Sequence, residues 1–388
     1  MDSDEKLRYK EHEDISKLSI RNTSPNNFNN MVCFSERKSN CEISGRSSRN
    51  LTAYIKIRKN IEKLEKHNAS KQKPLKLDTI LPLKPPRWKS VPVKVSKYIK
   101  NGKLRNLTKK YMTIKGNDQQ IALTKGSSKY LESNSKHRDH MEDYVNVIDS
   151  FNKNHSEGER SLYVLCDGHS GNDVAKIAII RFPEIFKSLL INDIESNESE
   201  KDFIESCLIQ TFRLLDEELV QYEEVGSTIN IIFIQFEEGQ RVIYSGNLGD
   251  SRSILIKNKE AIRLSYDHKA IDKNEIERVK KEGGIILRKR FYGALAITRA
   301  LGDYTFKIDG CGLSTIPYIT RTIIEKDDQF IIIGSDGIWD VINEEKAYKY
   351  IKDNKQLKDI ELVSKFFVEE SVRLGSKDNI SCIAIKLN

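Results

Sequence analysis

The stretch LYVLCDGHSG, Leu162–Gly171, has the sequence of a buried β-strand that ends abruptly at an acid, Asp167. An Asp followed by a Gly is common in turns, so one such acid is explained by turn geometry alone. The pattern recurs, however. Asp336 follows the apolar run FIIIGS, Asp250 follows VIYSGNLG, and Asp378 comes directly before NISCIAI. Four acids at the ends of strand-like runs predict a functional cluster of carboxylates in one cleft.

A cluster of carboxylates repels itself unless a cation compensates the charge. All-oxygen ligands favour a hard ion, Mg²⁺ or Mn²⁺, over zinc, and such an ion acidifies a bound water toward a nucleophile. The motif RDHMED adds Glu142 and Asp143, and it also adds Arg138, whose planar fork suits a phosphate. His169 is a candidate proton donor near neutral pH. The residues thus predict metal-assisted hydrolysis of a phosphate ester, and by themselves they leave phosphatase, nuclease and pyrophosphatase open.

Charge divides the chain into two parts. Residues 1–130 carry 30 Lys and Arg against 12 Asp and Glu, a net charge of +18, whereas residues 131–388 carry 35 against 45, a net charge of −10. We therefore expect a basic N-terminal extension over residues 1–119 and a catalytic domain over residues 120–388. Few apolar residues recur at any period in the first 50 residues, which predicts disorder there.

One stretch of the extension is different. Residues 51–67 place Tyr54, Ile57, Ile61 and Leu64 at a 3-4-3 spacing, which predicts one apolar face on a short helix. Docking on the catalytic domain is favoured over a membrane-surface or nucleic-acid role, because the apolar face is narrow. Basic runs in such tails are most often solvated, so we do not expect nucleic-acid binding.

Composition limits the class of protein. Hydrophobic residues make up 38% of the 388 residues, and no run approaches the ~18 uncharged apolar residues of a membrane span. The N-terminal sequence lacks the apolar segment of a signal peptide, and Asp2 stands where myristoylation needs glycine. Six scattered cysteines without a C-x-x-C pair argue against zinc or a disulfide framework and favour the cytoplasm, the nucleus or both.

The pattern beyond residue 120 predicts a layered α+β domain. Adjacent hairpins at 237–240 and 257–260 indicate antiparallel pairing, and the helices are long enough to cover sheets. The predicted strands are 144–149, 161–166, 229–236, 241–247, 252–257, 329–334 and 379–387. The predicted helices are 171–190, 201–220, 272–283, 344–352 and 358–374.

The ordered motifs resemble those of the metal-dependent protein serine/threonine phosphatase family, type 2C (PPM). RDHMED resembles the family's R-x-x-M-E-D, CDGHSG resembles D-G-H-x-G, and GSTIN at 226–230 resembles its G-S-T strand entry. NLGDSR, LSYDHK, GALAITRALGD, GSDGIWDV and SKDNIS follow in the family's order, so the resemblance covers about residues 120–388. It implies an antiparallel β-sandwich flanked by helices on both faces, with a dinuclear Mg²⁺ or Mn²⁺ centre at one end.

The resemblance also implies the metal ligands. Asp167 would bridge the two ions, the carbonyl of Gly168 would bind one of them, and Asp336 and Asp378 would bind the other.

Further roles follow from the same resemblance. Glu142 and Asp143 would hold metal-bound waters, and Asp250 would take part in a weaker third metal site. Arg138 would hold the phosphate, and His169 would protonate the leaving seryl or threonyl oxygen.

The resemblance predicts a monomeric protein serine/threonine phosphatase that hydrolyses phosphoproteins by attack of a metal-bridging hydroxide, without a phosphoenzyme. Two other functions stay open, a catalytically idle scaffold and a metal-dependent nuclease, although the intact acids argue against the scaffold. The chain departs from the family mainly in the segment IILRKRFYG, 285–293, which is short and basic for the flap beside the active site. That departure concerns substrate preference rather than chemistry.

Overall fold

The described part of the chain forms two antiparallel β-sheets with helices packed on their outer faces. The computed structural model describes residues 122–151, 159–191, 199–307 and 312–388. The strands in chain order are β1 Gly126–Glu132, β2 Asp143–Ile148, β3 Arg160–His169, β4 Gly226–Ser227, β5 Ile229–Glu237, β6 Gln240–Leu248, β7 Arg252–Ile256, β8 Ala261–Arg263, β9 Ile286–Leu287, β10 Arg290–Phe291, β11 Leu301–Gly302, β12 Tyr318–Ile323, β13 Phe330–Gly334 and β14 Ile380–Lys386. The α-helices are α1 Asp173–Ile191, α2 Glu200–Glu218, α3 Lys273–Lys281, α4 Asp336–Trp339, α5 Glu344–Asp353 and α6 Ile360–Arg373.

Strand pairing is antiparallel throughout both sheets. The seven-stranded sheet has the order β11-β4-β3-β5-β6-β12, and β2 also pairs with β3. The five-stranded sheet has the order β1-β14-β13-β7-β8, and β9 and β10 form a separate hairpin. The hairpins predicted at 237–240 and 257–260 are confirmed as the β5–β6 and β7–β8 connections.

The two sheets share a central apolar core. Because side chains alternate between the faces of a strand, Tyr163 and Leu165 of β3 join this core together with Ile333 of β13 and Ile383 of β14. The intervening residues of the same strands face outward, toward the helices.

Each outer face is covered by helices of the same chain. On the seven-stranded sheet, Phe182 of α1 and Phe212 of α2 pack edge to face with a 5.1 Å centroid separation, against strand residues such as Phe233. On the five-stranded sheet, Phe367 of α6 packs in a second buried cluster with Ile332. The predicted β-sandwich with helices on both faces is confirmed.

All seven predicted strands and all five predicted helices are present in the fold, with bounds that differ by a few residues. The structure adds strands that were not predicted, above all β1 and the edge strand β12. The predicted helix at 51–67 lies outside the described residues, and the proposed boundary near residue 120 stays a prediction. Within the described part of the chain, no helix combines the length and apolar character needed to cross a membrane.

Candidate active site

Two acids meet at paired strand ends. Asp143 begins β2, Asp167 lies near the end of β3, and the two residues are direct partners in the antiparallel register. Side chains at directly opposed positions lie on the same face of a sheet. The register therefore brings the two carboxylates together, and Asp143 is only 2% exposed.

The other sheet contributes two more acids in the same way. β13 and β14 are antiparallel neighbours, with Gly334 opposite Cys382. Asp336 follows β13 by two residues as the first residue of α4, and Asp378 precedes β14 by two residues. Because the end of β13 lies beside the start of β14, both acids lie at the same end of these two strands.

The acids are close enough to affect one another's ionisation. Burial raises the pKa of Asp143 to about 6. Burial also raises the pKa of Asp167 well above its ordinary value, and the charges of Asp143 and Asp336 raise it further. For Asp336, burial is again the main cause of a raised pKa, followed by the charges of Asp250 and Asp378. The four acids predicted from strand ends are therefore brought together with Asp143 in one electrostatic cluster.

The donor set fits a hard divalent cation. Both carboxylate oxygens of Asp143 are buried without a well-formed hydrogen bond to a described residue, although the hydroxyls of Ser335 and Ser381 lie close enough to oppose the rise of its pKa. Leaving a buried polar group unpaired is costly, and a cation with its bound waters would satisfy carboxylate oxygens of this kind. The side chains predicted to bind metal are all carboxylates, Asp167, Asp336 and Asp378, and such a donor set fits Mg²⁺ or Mn²⁺ rather than zinc.

Asp250 differs from the other acids because a lysine lies against it. Lys269 Nζ is 3.5 Å from Asp250 Oδ2 and 3.1 Å from Asp340 Oδ1. Burial raises the pKa of Asp250, and the charge of Lys269 opposes that rise. Part of the negative charge at Asp250 is thus already compensated within the chain.

A second acidic group lies elsewhere in the fold. Among the described residues, the group of three acids whose carboxylate oxygens all lie within 4.8 Å of one another is Glu325, Asp327 and Asp328, in the turn between β12 and β13. Their spacing could hold a cation, but Lys257 Nζ already lies 3.0 Å from Glu325 and 3.5 Å from Asp328. We interpret this group as a turn that carries its own counter-charge.

The loop after β3 is held against RDHMED. The amide of Gly168 donates to the carbonyl of Glu142 at 3.1 Å, and the amide of Gly171 donates to Glu142 Oε1 at 2.7 Å. A Cβ on Gly168 would lie 2.8 Å from the Glu142 carbonyl oxygen, so this close approach requires glycine. Arg138 contacts the carboxylate of Asp378, and both side chains are 32% exposed.

His169 has a buried acid as its partner. The distance from His169 Nε2 to Asp303 Oδ2 is 2.6 Å, and Asp303 is 1% exposed. Burial alone would lower the pKa of His169, but the charge of Asp303 and its hydrogen bond outweigh burial, so the pKa is raised. The amide of Asp303 is fixed by the carbonyl of Val225 at 2.9 Å.

Asp303 is the site residue that sequence reasoning missed. It stands at the end of GALAITRALGD, a motif noted only for its order in the chain. The imidazole and the carboxylate meet directly over Gly226, where a Cβ would overlap both Asp303 Oδ2 and His169 Nε2. The glycine of GSTIN could have indicated this contact, because a position that requires glycine is one where other groups approach the backbone closely.

Known proteins are similar to about two thirds of this chain. The family described as Protein phosphatase 2C matches residues 129–380. Protein phosphatase 2C homolog 1 of Saccharomyces cerevisiae is 30% identical over 269 residues, which cover 66% of this chain and 90% of the yeast protein.

Solved structures share the fold. A Caenorhabditis elegans sex determining protein matches with a TM-score of 0.60 at 24% identity, covering 68% of this chain and 65% of that chain. A serine-threonine phosphatase 2C from Toxoplasma gondii matches with a TM-score of 0.52 at 18% identity, covering 68% and 94%. At these identities the similarity concerns the fold alone.

Proposed function

Because the chain belongs to the protein phosphatase 2C family and is a metal-dependent protein serine/threonine phosphatase, we propose that the acid cluster is its active site and that it binds two divalent ions, Mg²⁺ or Mn²⁺. The observation that carries this proposal is the pairing of buried Asp143 with half-buried Asp167, which are direct partners across β2 and β3. Asp336 and Asp378 complete the cluster from the other sheet.

Each acid has a proposed role. Asp167, the Gly168 carbonyl, Asp336 and Asp378 would hold the two ions, while Glu142 and Asp143 would accept hydrogen bonds from waters around them. Asp250 would take part in a third site that binds more weakly, since Lys269 already compensates part of its charge. When bound, the ions supply an acidified water and neutralise charge on the phosphate oxygens.

Arg138 would bind the phosphate of the substrate. Its guanidinium lies beside Asp378 and remains partly exposed, which leaves donors available to an incoming phosphate ester. The planar fork of an Arg suits phosphate oxygens geometrically. The substrates are phosphoproteins, and Arg138 would orient their phosphoseryl or phosphothreonyl groups over the acids.

His169 would donate a proton to the leaving seryl or threonyl oxygen. Asp303 favours the protonated imidazole and fixes its direction, because it accepts a hydrogen bond from Nε2. The other ring nitrogen, Nδ1, is then the atom that would face the substrate. Asp303 is a positioning residue in this scheme, since it acts through His169.

We further propose that one chain is sufficient for activity, because every residue of the candidate site comes from the same chain. Among the described residues, Cys166 and Cys382 are buried thiols outside any disulfide, which is compatible with a reducing compartment. These observations support a monomer in the cytoplasm, the nucleus or both, as the sequence predicts.

The experiment that tests the proposal measures hydrolysis of p-nitrophenyl phosphate and of a phosphothreonine peptide with Mg²⁺, with Mn²⁺ and with excess EDTA. We expect activity only with the added ions. Asp167→Asn and Asp336→Asn should each lower kcat by orders of magnitude at saturating metal, since ions of this kind supply several kcal/mol of transition-state stabilisation. Activity in excess EDTA, or near wild-type turnover in both variants, would overturn the assignment. Asp327→Asn is the control, because it changes an acid outside the cluster.

A further inference from the structure

The turn between β9 and β10 carries an unpaired pair of basic residues. Arg288 and Lys289 form this two-residue turn, and both are exposed. Neither side chain has an ion pair with a described residue, whereas Arg278 and Arg299 of the same segment are both paired with Glu275. The pair is notable because residues 131–388 carry a net charge of −10. We call Ile286–Phe291 the basic hairpin.

The backbone conformation of this turn does not favour Arg and Lys at its two central positions. Arg288 has φ +49° and Lys289 has φ +62°, as a two-residue type I′ turn requires. Asn-Gly is the favoured pair at these positions, and a long side chain in the left-handed region costs free energy. Arg and Lys are therefore poor choices for the turn itself, which points to a use outside the fold.

Packing holds the basic hairpin in place. Phe291 is fully buried in a small core with Val279 of α3. The amide of Phe291 donates to the carbonyl of Leu295 at 2.8 Å, and the amide of Tyr292 donates to that of Ile285 at 2.9 Å. The two charges are thus presented by an ordered element.

The segment that carries the hairpin touches the candidate active site at both of its ends. At one end Lys269 contacts Asp250, and at the other end Asp303 contacts His169. Ile297 and Lys269 form an isolated antiparallel β-bridge. Lys289 is eight residues from Ile297, so the turn lies at most about 29 Å from that bridge. A peptide of about eight extended residues covers the same distance.

We propose that the basic hairpin recognises acidic residues that flank the phosphorylated Ser or Thr of the substrate. The inference rests on the proposed function, since it assigns a substrate class to the same site. Opposite charges at an exposed surface attract and steer a partner. An acidic peptide is favoured over a nucleic acid, because the two turn charges and the adjacent Arg290, on a net-negative domain, offer a short contact rather than a long basic track.

The test uses the full chain and two phosphothreonine peptides. One peptide carries Asp and Glu within eight residues of the phosphothreonine, and the other carries Asn and Gln at the same positions. The test variant is Arg288→Asn/Lys289→Gly, which removes both charges and gives the turn its favoured residues. The control variant is Lys280→Ala/Lys281→Ala, which removes two exposed charges from the last turn of α3, where basic residues favour the helix terminus.

We expect the test variant to melt at a higher temperature than wild type. Its kcat/KM on the acidic peptide should fall about threefold to tenfold at low salt, the effect of losing two exposed ion pairs. The difference should vanish at about 0.5 M salt. Rates on the neutral peptide and on p-nitrophenyl phosphate should not change, and the control variant should keep the wild-type rates on all three substrates.

Several results would overturn the proposal. They are equal losses on both peptides, no loss on the acidic peptide, and an equal loss in the control variant. Salt-sensitive binding of a single-stranded oligonucleotide that needs Arg288 and Lys289, with peptide rates unchanged, would instead assign the hairpin to nucleic acid. Fluorescence anisotropy of the labelled peptides repeats the comparison without turnover. The two failures are distinguishable. A wild type that is inert toward p-nitrophenyl phosphate would contradict the catalytic proposal, whereas unchanged binding of the acidic peptide by the test variant would contradict the hairpin proposal.

Discussion

At the residue scale, the pairing of His169 with Asp303 gives a prediction about leaving groups. Asp303→Asn keeps the shape of the side chain but removes the charge that orients the imidazole. We expect kcat on a phosphothreonine peptide to fall by up to ~10²–10⁴-fold, as for loss of a general acid. Loss on p-nitrophenyl phosphate should be small, because p-nitrophenolate departs without a proton.

The matched variant is His169→Gln, which should show the same selectivity. The double variant should be no worse than the poorer single variant, because both changes remove one function. Equal losses on the two substrates would mean that the pair supports structure rather than proton transfer.

Asp143 gives a prediction about pH. Its pKa is raised to about 6 from 3.8, so the folded protein binds more protons than the unfolded chain between these values. In the metal-free protein, the stability that protonated Asp143 contributes is fully present below about pH 4 and is lost as the pH rises through 6. Asp143→Asn should therefore gain stability relative to wild type across this window, by on the order of 3 kcal/mol.

The measurement is urea denaturation in EDTA at several pH values. Saturating Mg²⁺ should reverse the advantage, because the cation stabilises the ionised cluster of the wild type. A constant difference between Asp143→Asn and wild type from pH 4 to 7 would contradict the prediction. Asp327→Asn serves again as the exposed control.

The acids of the cluster could be predicted from the sequence because each stands at the end of an apolar run or in a recognisable motif. Asp303 could not be assigned a role from the sequence, because its proposed role depends on a contact with a histidine 134 residues away. The pairing of Arg138 with Asp378 and of Lys269 with Asp250 is likewise a property of the fold. Sequence pattern predicted which acids lie in one cluster, and tertiary packing determines which groups balance their charges.

At the scale of elements, the two-residue strand β4 places a glycine against the proposed proton donor. Gly226 pairs with both β3 and β11, and it lies beneath the His169–Asp303 contact. Gly226→Ala should separate the imidazole from its partner and lower kcat on phosphothreonine substrates as strongly as Asp303→Asn does. Overpacking should also cost about 1–3 kcal/mol of stability.

Gly239→Ala is the control for this prediction. Gly239 lies in the β5–β6 turn with φ +81°, and a Cβ at this position would have no described atom within 4 Å. Its substitution therefore strains the backbone without touching the His169–Asp303 pair. We expect that control to lose stability and keep its kcat. A folded Gly226→Ala with wild-type kcat would show that the contact is dispensable.

The strands that sequence reasoning missed share a physical cause. β12 has the sequence YITRTI and lies at an edge of its sheet, with no residue of the strand fully buried. β1 has the polar sequence GSSKYLE and becomes a strand by pairing along its whole length with β14. Apolar runs predict buried strands well, whereas edge strands depend on a partner that only the fold supplies.

At the scale of the whole molecule, the charge division predicts what the N-terminal extension contributes. Every motif of the candidate site lies beyond residue 137, so residues 115–388 should fold and keep their kcat on small phosphate esters. Attraction of residues 1–130, with a net charge of +18, to residues 131–388, with a net charge of −10, or to an acidic partner, is screened within about 8 Å at physiological salt. Loss of the extension should therefore appear as weaker and less salt-sensitive binding of phosphoproteins.

The measurement compares the full chain with residues 115–388 on both substrate types at low and high salt. A shortened protein that is folded but inert on small esters would show that the extension belongs to the catalytic domain. Equal salt dependence in the two proteins would contradict the proposed electrostatic role of the extension.

The place of β14 has a consequence for the order of events while the chain is being made. Although β14 is the last strand along the sequence, it lies between β1 and β13, so both of those strands keep an open edge until residues 380–386 leave the ribosome. Asp378 emerges just ahead of them. A growing chain therefore receives Asp378 together with the strand that closes the sheet, and a chain cut before residue 378 would lose both at once.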